Sequence, residues 1–119
     1  MSHLTRQDIK VIIVEGRTDK EKVLKVVNED VEIVCTNGTI NVERLEDLIE
    51  MFDMDHRDVF ILVDEDNAGK KLRKQLSKEL PHAIHINIDK SYREVAATPE
   101  SELAVALVSS HIRINPNFL

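Results

Sequence analysis

Ile9-Lys10-Val11-Ile12-Ile13-Val14 is a nearly unbroken β-branched run, the pattern of a strand buried on both faces of a parallel sheet. After Glu15-Gly16-Arg17-Thr18-Asp19, Thr18 and Glu21 stand at capping-box spacing. Val23, Leu24, Val26 and Val27 then recur on one face, which predicts a helix. Val31 to Cys35 reads as a second strand, closed by Thr36-Asn37-Gly38-Thr39, and Leu45, Leu48, Ile49 and Phe52 stripe a second helix. Val59 to Val63 is another wholly apolar strand, ending in Asp64-Glu65-Asp66-Asn67-Ala68-Gly69. Ala68, Leu72, Leu76 and Leu80 fall every four residues and predict a third helix, which Pro81 follows. Ile84, Ile86 and Ile88 alternate with His85, Asn87 and Asp89, a fourth strand with one wet face. Thr98 and Pro99 suit the N-cap and first position of a last helix carried by Leu103, Ala106 and Leu107.

Strand and helix thus alternate four times, which implies an α/β fold: a four-stranded parallel sheet with helices on both faces and right-handed crossovers. The two continuous apolar strands belong in the middle and those carrying Glu32 and His85 at the edges, giving the order 2-1-3-4. Strands 1 and 3 then meet at the switch point, beyond whose C-terminal ends such sheets bind ligands. Residues 1–119 are expected to form one domain, with a core over about 8–110 and a tail over 111–119.

Composition narrows the function. With 42% of the chain apolar and 32% charged, disorder is excluded. No apolar run reaches the roughly 18 residues that a membrane helix needs, and the first residues lack a signal-peptide pattern, so no membrane role and a cytoplasmic location are expected. The lone Cys35 cannot form an internal disulfide or a cysteine-based zinc site, and reads as a small core residue. His3, His56, His82, His85 and His111 show no ligand spacing and read as surface residues. A net charge of −6 and few aromatic residues argue against a nucleic-acid coat protein or a base-stacking platform. Charge is nonetheless uneven. Residues 67–80 hold Lys70, Lys71, Arg73, Lys74 and Lys78 against Glu79, whereas 43–58 hold seven acids against Arg44 and Arg57.

The chemistry lies at the ends of the two central strands. If strands 1 and 3 are neighbours, Glu15, Asp64 and Asp66 converge, and carboxylates so close need either a proton or a cation between them. An all-oxygen donor set with open positions suits Mg²⁺, for which Mn²⁺ can substitute. Asp19 is either a further ligand or an acid placed to suit the first turn of its helix. The only glycines, Gly16, Gly38 and Gly69, all follow predicted strands on this same rim, where a backbone that approaches a ligand closely has use for them.

Val-Glu-Gly-Arg-Thr-Asp at 14–19 and Val-Asp-Glu-Asp-Asn-Ala-Gly-Lys at 63–70 resemble the two signatures of the Toprim domain. That domain is shared by DnaG-type primases, topoisomerases and several nucleases. The resemblance extends over about residues 8–110. Thr36-Asn37-Gly38, Gly69 to Lys74 and Glu94 to Glu100 add a likeness to the nuclease that matures 5S ribosomal RNA. The resemblance implies that Glu15 is the general acid or base and that Asp64 and Asp66 bind Mg²⁺. Tyr92, the one tyrosine, has no base beside it in sequence and reads as a surface or packing residue rather than a nucleophile.

Gly16, Arg17, Asn37, Gly38, Gly69, Lys70 and Lys71 are the candidate phosphate contacts. Lysines in a helix's first turn oppose its dipole, a small cost that a phosphate site would explain. Alternatively, the basic helix face pairs with the acidic 43–58 segment in a homodimer. Two functions follow: phosphodiester hydrolysis of RNA or DNA, or a non-catalytic metal- and phosphate-binding module that needs a protein partner.

Overall fold

The computed structural model describes residues 4–119, so His3 lies outside the described residues. The sheet comprises β1 (Lys10–Val14), β2 (Val31–Cys35), β3 (Val59–Ile61) and β4 (Ile84–His85). All pair in parallel, in the order β2-β1-β3-β4, with Ile12 between Ile33 and Phe60. Helices α1 (Arg17–Val26), α2 (Val42–Met51), α3 (Asn67–Glu79) and α4 (Glu100–Ser109) follow the strands in turn. The architecture is the one the hydrophobic pattern implies.

Alternation along β1 shows why its run is unbroken. Ile12 and Val14 enter one core with Val23 and Val26 of α1 and Leu103, Ala104 and Leu107 of α4. Val11 and Ile13 enter the other, with Leu45 of α2 and Leu72, Leu76 and Leu80 of the α3 segment. A strand covered by helices on both faces has no wet position to spend on a polar residue. Among the described residues, no helix is long and apolar enough to cross a membrane.

Several local expectations are corrected. Gly16, not Thr18, precedes the first turn of α1, and the acid three residues on is Asp19, whose Oδ2 accepts the Gly16 N–H at 3.0 Å. Leu24 faces solvent. Ala68 is exposed and Gly69 buried, so the apolar stripe of α3 begins one residue later than its four-residue spacing suggested. Ile84 is exposed, whereas His85 is half-buried, with Nε2 2.9 Å from the Ser77 hydroxyl oxygen. Pro99 itself is the N-cap of α4, and the Thr98 hydroxyl donates to the Glu94 carbonyl instead.

The tail is not loose. Ile112 and Ile114 are buried in the α1/α4 core, and Ile114 bridges to Val27. A charged residue is buried too: Arg57 donates to the Ile9 and Phe52 carbonyls and to Glu32 Oε1 at 2.6 Å. That fork ties the start of β1, the end of α2 and the β2 edge together at the end of the sheet opposite the carboxylates.

Candidate active site

β1 and β3 deliver Glu15 and Asp64 side by side. The Asp64 backbone N–H donates to Glu15 Oε2 at 3.1 Å, joining the two strand ends directly. Two residues on, Asp66 is the N-cap of α3, its Oδ1 accepting the Gly69 N–H at 2.7 Å. Asp19, buried in the first turn of α1, is held by Gly16 as described. The remaining anchor comes from the loop before α4: Val95 donates its N–H to Asp64 Oδ1 at 2.8 Å.

One rule covers all four acids. Each carboxylate has one oxygen fixed by a backbone N–H; the Glu15 and Asp64 carboxyls also meet each other, while among the described residues no hydrogen-bond donor meets the second oxygen of Asp19 or Asp66. The side chains are therefore aimed without being used up. Among the described residues, no three His, Cys, Asp or Glu side chains stand together so as to hold a metal ion. Mg²⁺ does not require three, since it usually takes one or two carboxylates and keeps several waters. Half-anchored carboxylates around one rim fit such an ion.

The electrostatics agree. Burial, then the adjoining Asp64 carboxyl, pushes the Glu15 carboxyl up from 4.5 to about 7, against the pull of the Asp64 N–H; the Asp64 and Asp66 charges add to the rise. Burial likewise raises Asp19, with the Asp64 and Glu94 charges adding to it, while the Gly16 N–H opposes the change. Negative charge thus accumulates where a cation would relieve it.

The other candidates divide. Arg17 is exposed and, among the described residues, bound only to Glu21 through Nε at 3.1 Å. The β2–α2 loop folds over the strand ends, its Asn37 N–H donating to the Glu15 carbonyl at 2.7 Å. Asn37 and Gly38 follow each other with φ of 60° and 95°, and a Cβ at Gly38 would meet nothing within 4 Å, so the backbone there is open to a ligand. Lys70 and Lys71 are exposed on the first turns of α3. Gly69 has a different task. Its N–H is taken by Asp66, and a Cβ would lie 2.0 Å from the Asp64 carbonyl oxygen. It is glycine so that α3 can close against the carboxylate loop.

Three features of the site escaped the sequence reading. Glu65 turns away from the other acids and pairs with Arg73 at 2.6 Å, while its N–H donates to the Arg93 carbonyl at 2.6 Å. Glu94, noticed only within a matching segment, contributes charge near Asp19. Tyr92 lines a small cleft with Asp66, Arg93 and Glu94. A spacing rule finds none of these, because the loop before α4 reaches the site through backbone groups.

Residues 10–93 match the Toprim domain. YusF of Bacillus subtilis (strain 168), an uncharacterized protein, is 46% identical over 128 aligned residues, covering 100% of this chain and 86% of its own. Ribonuclease M5 of Mycoplasma genitalium is 27% identical over 113 residues, 90% of this chain and 62% of that enzyme. Ribonuclease M5 of Bacillus subtilis is 33% identical over 81 residues, 68% of this chain but only 42% of its own length. The solved structure of a small TOPRIM domain protein from Bacillus stearothermophilus superposes with a TM-score of 0.87 at 49% identity, covering 93% of this chain and 92% of that one. With the carboxylate rim, the sheet order and the matched signatures in agreement, the chain belongs to the Toprim domain family.

Proposed function

We propose that this chain hydrolyses phosphodiester bonds of RNA or DNA in the cytoplasm with Mg²⁺, or Mn²⁺ in its place. The observation that supports this reading is the set of four carboxylates on one rim, each aimed by one backbone N–H, with the Glu15 and Asp64 carboxyls adjoining. Asp64 and Asp66 would hold the cation, with Glu15 beside them and Asp19 as a further ligand. A divalent ion held there would supply Lewis-acid polarisation of the phosphodiester and stabilisation of the leaving oxygen. Glu15 serves as general acid or base: Asp64 fixes its Oε2, so Oε1 is the oxygen that exchanges a proton with the attacking water or the leaving group. Gly16, Arg17, Asn37 and Gly38 approach the flanking phosphates from one side, and Lys70 and Lys71 from the other.

A second reading, a binding module that acts through a protein partner or as a homodimer, draws on the fact that Asp64 and Asp66 each already spend one oxygen on the fold. Cleavage assays separate the two. The full chain with millimolar Mg²⁺ or Mn²⁺ should cut members of a panel of structured RNAs and DNAs. Glu15→Gln should bind them equally well and cut about 10²–10⁴-fold more slowly, the range for a positioned acid–base group. A parent chain that binds but never cuts refutes hydrolysis and establishes the binding module.

A further inference from the structure

Between the start of α2 and α3 lies a cleft of about 450 Å³, separate from the carboxylates. Its apolar side is built by Ile40 and Leu72, both buried, and by Val42, which is 51% exposed at the first position of α2. An apolar residue there does nothing for helix capping, and it leaves an open hydrophobic wall. Two amides supply the polar part. Asn41 caps α2 by accepting the Arg44 N–H at 2.8 Å, and its Nδ2 has no partner among the described residues. Gln75 donates Nε2 to the Ile40 carbonyl at 2.6 Å, and its Oε1 is likewise left without one. The cleft therefore combines an apolar bed, one N–H donor and one carbonyl acceptor, with the exposed Lys71 also lining it.

A planar group with apolar faces and a donor–acceptor edge, tethered to an anion, is complementary to such a set: a nucleobase on its phosphate. The charge favours that occupant over an apolar peptide or an acyl chain. In a chain of net charge −6, the exposed Lys71 supplies a positive charge in the cleft lining itself. We infer that the cleft takes one unpaired base of the nucleic-acid strand whose phosphodiester lies over Glu15, Asp64 and Asp66, an inference that rests on the function proposed above.

A base that is paired cannot enter without leaving its stack. The substrate is thus a single strand, or a duplex with an unpaired nucleotide near the cut.

The test uses the full chain carrying Glu15→Gln, so that cutting in Mg²⁺ is too slow to matter during the binding measurement, with fluorescent single-stranded RNA and its fully paired duplex as probes. Single strands should bind at least about tenfold more tightly than the duplex. Val42→Glu should lower single-strand affinity about tenfold or more, the scale of one lost base contact. A carboxylate at the start of α2 suits the helix dipole, so its melting temperature should hold. Asn41→Asp keeps the cap acceptor but replaces the donor by a second acceptor. It should therefore reorder affinities among oligo-A, oligo-C and oligo-U at unchanged melting temperature, a readout that a purely structural role would not move. Equal binding of single and double strands, no RNA binding at all, or Val42→Glu binding like its parent overturns the inference. If wild-type cleavage persists alongside any of those results, the hydrolytic reading stands and only the base site falls. Single-strand binding that depends on Val42, with no cleavage by the wild-type chain, leaves the base site and overturns hydrolysis.

Discussion

The carboxylate rim should make the metal-free protein lose stability as the pH rises, and Glu15 should be the residue responsible. In the folded chain its carboxyl keeps a proton to about 7, whereas at its ordinary 4.5 the unfolded chain has already released it. Between those values the folded state binds the extra proton. Stability is then fully present below about 4.5, falls as the pH climbs towards 7, and stays at the lower level above it. A difference of that size is worth about 3.4 kcal/mol for a fully desolvated group. Glu15 is half-exposed, and solvent screening reduces the figure to about 1–2 kcal/mol.

Glu15→Gln isolates this effect. The glutamine oxygen can still accept the Asp64 N–H, but the side chain carries no charge at any pH. In EDTA the variant and its parent should unfold alike at pH 4. At pH 8 the variant should be more stable by about 1–2 kcal/mol, a gain of several degrees in melting temperature for a domain of this size. All other titrating groups are common to both proteins, so the difference between the two curves reports Glu15 together with its coupling to the adjoining Asp64. Parallel stability curves from pH 4 to 8 would refute the reasoning, since they would mean that Glu15 is solvated like any surface acid. Adding Mg²⁺ at 100 times its dissociation constant should restore about 2.7 kcal/mol to the parent at pH 8.

The other perturbations separate ligand from scaffold. Asp66→Asn retains an excellent N-cap for α3, so its melting temperature in EDTA should be unchanged or higher, while the stabilisation that the parent gains from millimolar Mg²⁺ should vanish; a clear loss of stability in EDTA would show Asp66 to be structural only. Gly69→Ala places a Cβ 2.0 Å from the Asp64 carbonyl oxygen, and chemical denaturation should show a loss of about 3 kcal/mol or more. A neutral Gly69→Ala would mean that α3 does not close on this loop.

Sheet order was legible because hydrophobic pattern speaks directly about burial. β-branched runs with no polar interruption can only sit between two layers of helices, and that placed β1 and β3 in the centre. Once they were adjacent, Glu15 and Asp64 had to be neighbours. Pattern failed where two neighbouring small residues compete for one place. A stripe spaced by four cannot distinguish Ala68 from Gly69, and the answer depends on a 2.0 Å approach that no propensity encodes. It also failed for anchors supplied by the main chain. The N–H groups of Gly16, Gly69 and Val95 aim three of the four carboxylates, and a backbone donor has the same sequence signature everywhere. Ile112 and Ile114 did alternate, but two positions are too few to separate a packed segment from a tail.

This reliance on main-chain anchors bears on how a domain can carry so much unrelieved charge. A carboxylate held through both oxygens would be inert towards a ligand, and one held through neither would swing away from its like-charged neighbours. Holding one oxygen resolves the conflict: each N–H bond to a charged acceptor stabilises by about 1.5–3 kcal/mol, comparable to the cost of crowding the charges. Asp64 is where the two demands meet. Its N–H orients Glu15, its Oδ1 draws in the loop before α4, and its carbonyl is the surface that Gly69 must approach bare. The loop it draws in brings Glu94, whose charge adds to the raising of Asp19, so the contact that fixes one acid also increases the repulsion on another. If the rim binds a cation as proposed, stability and ion binding are not traded residue against residue: they fall to different oxygens of the same side chain, and a change of Asp to Asn can remove the second while leaving the first.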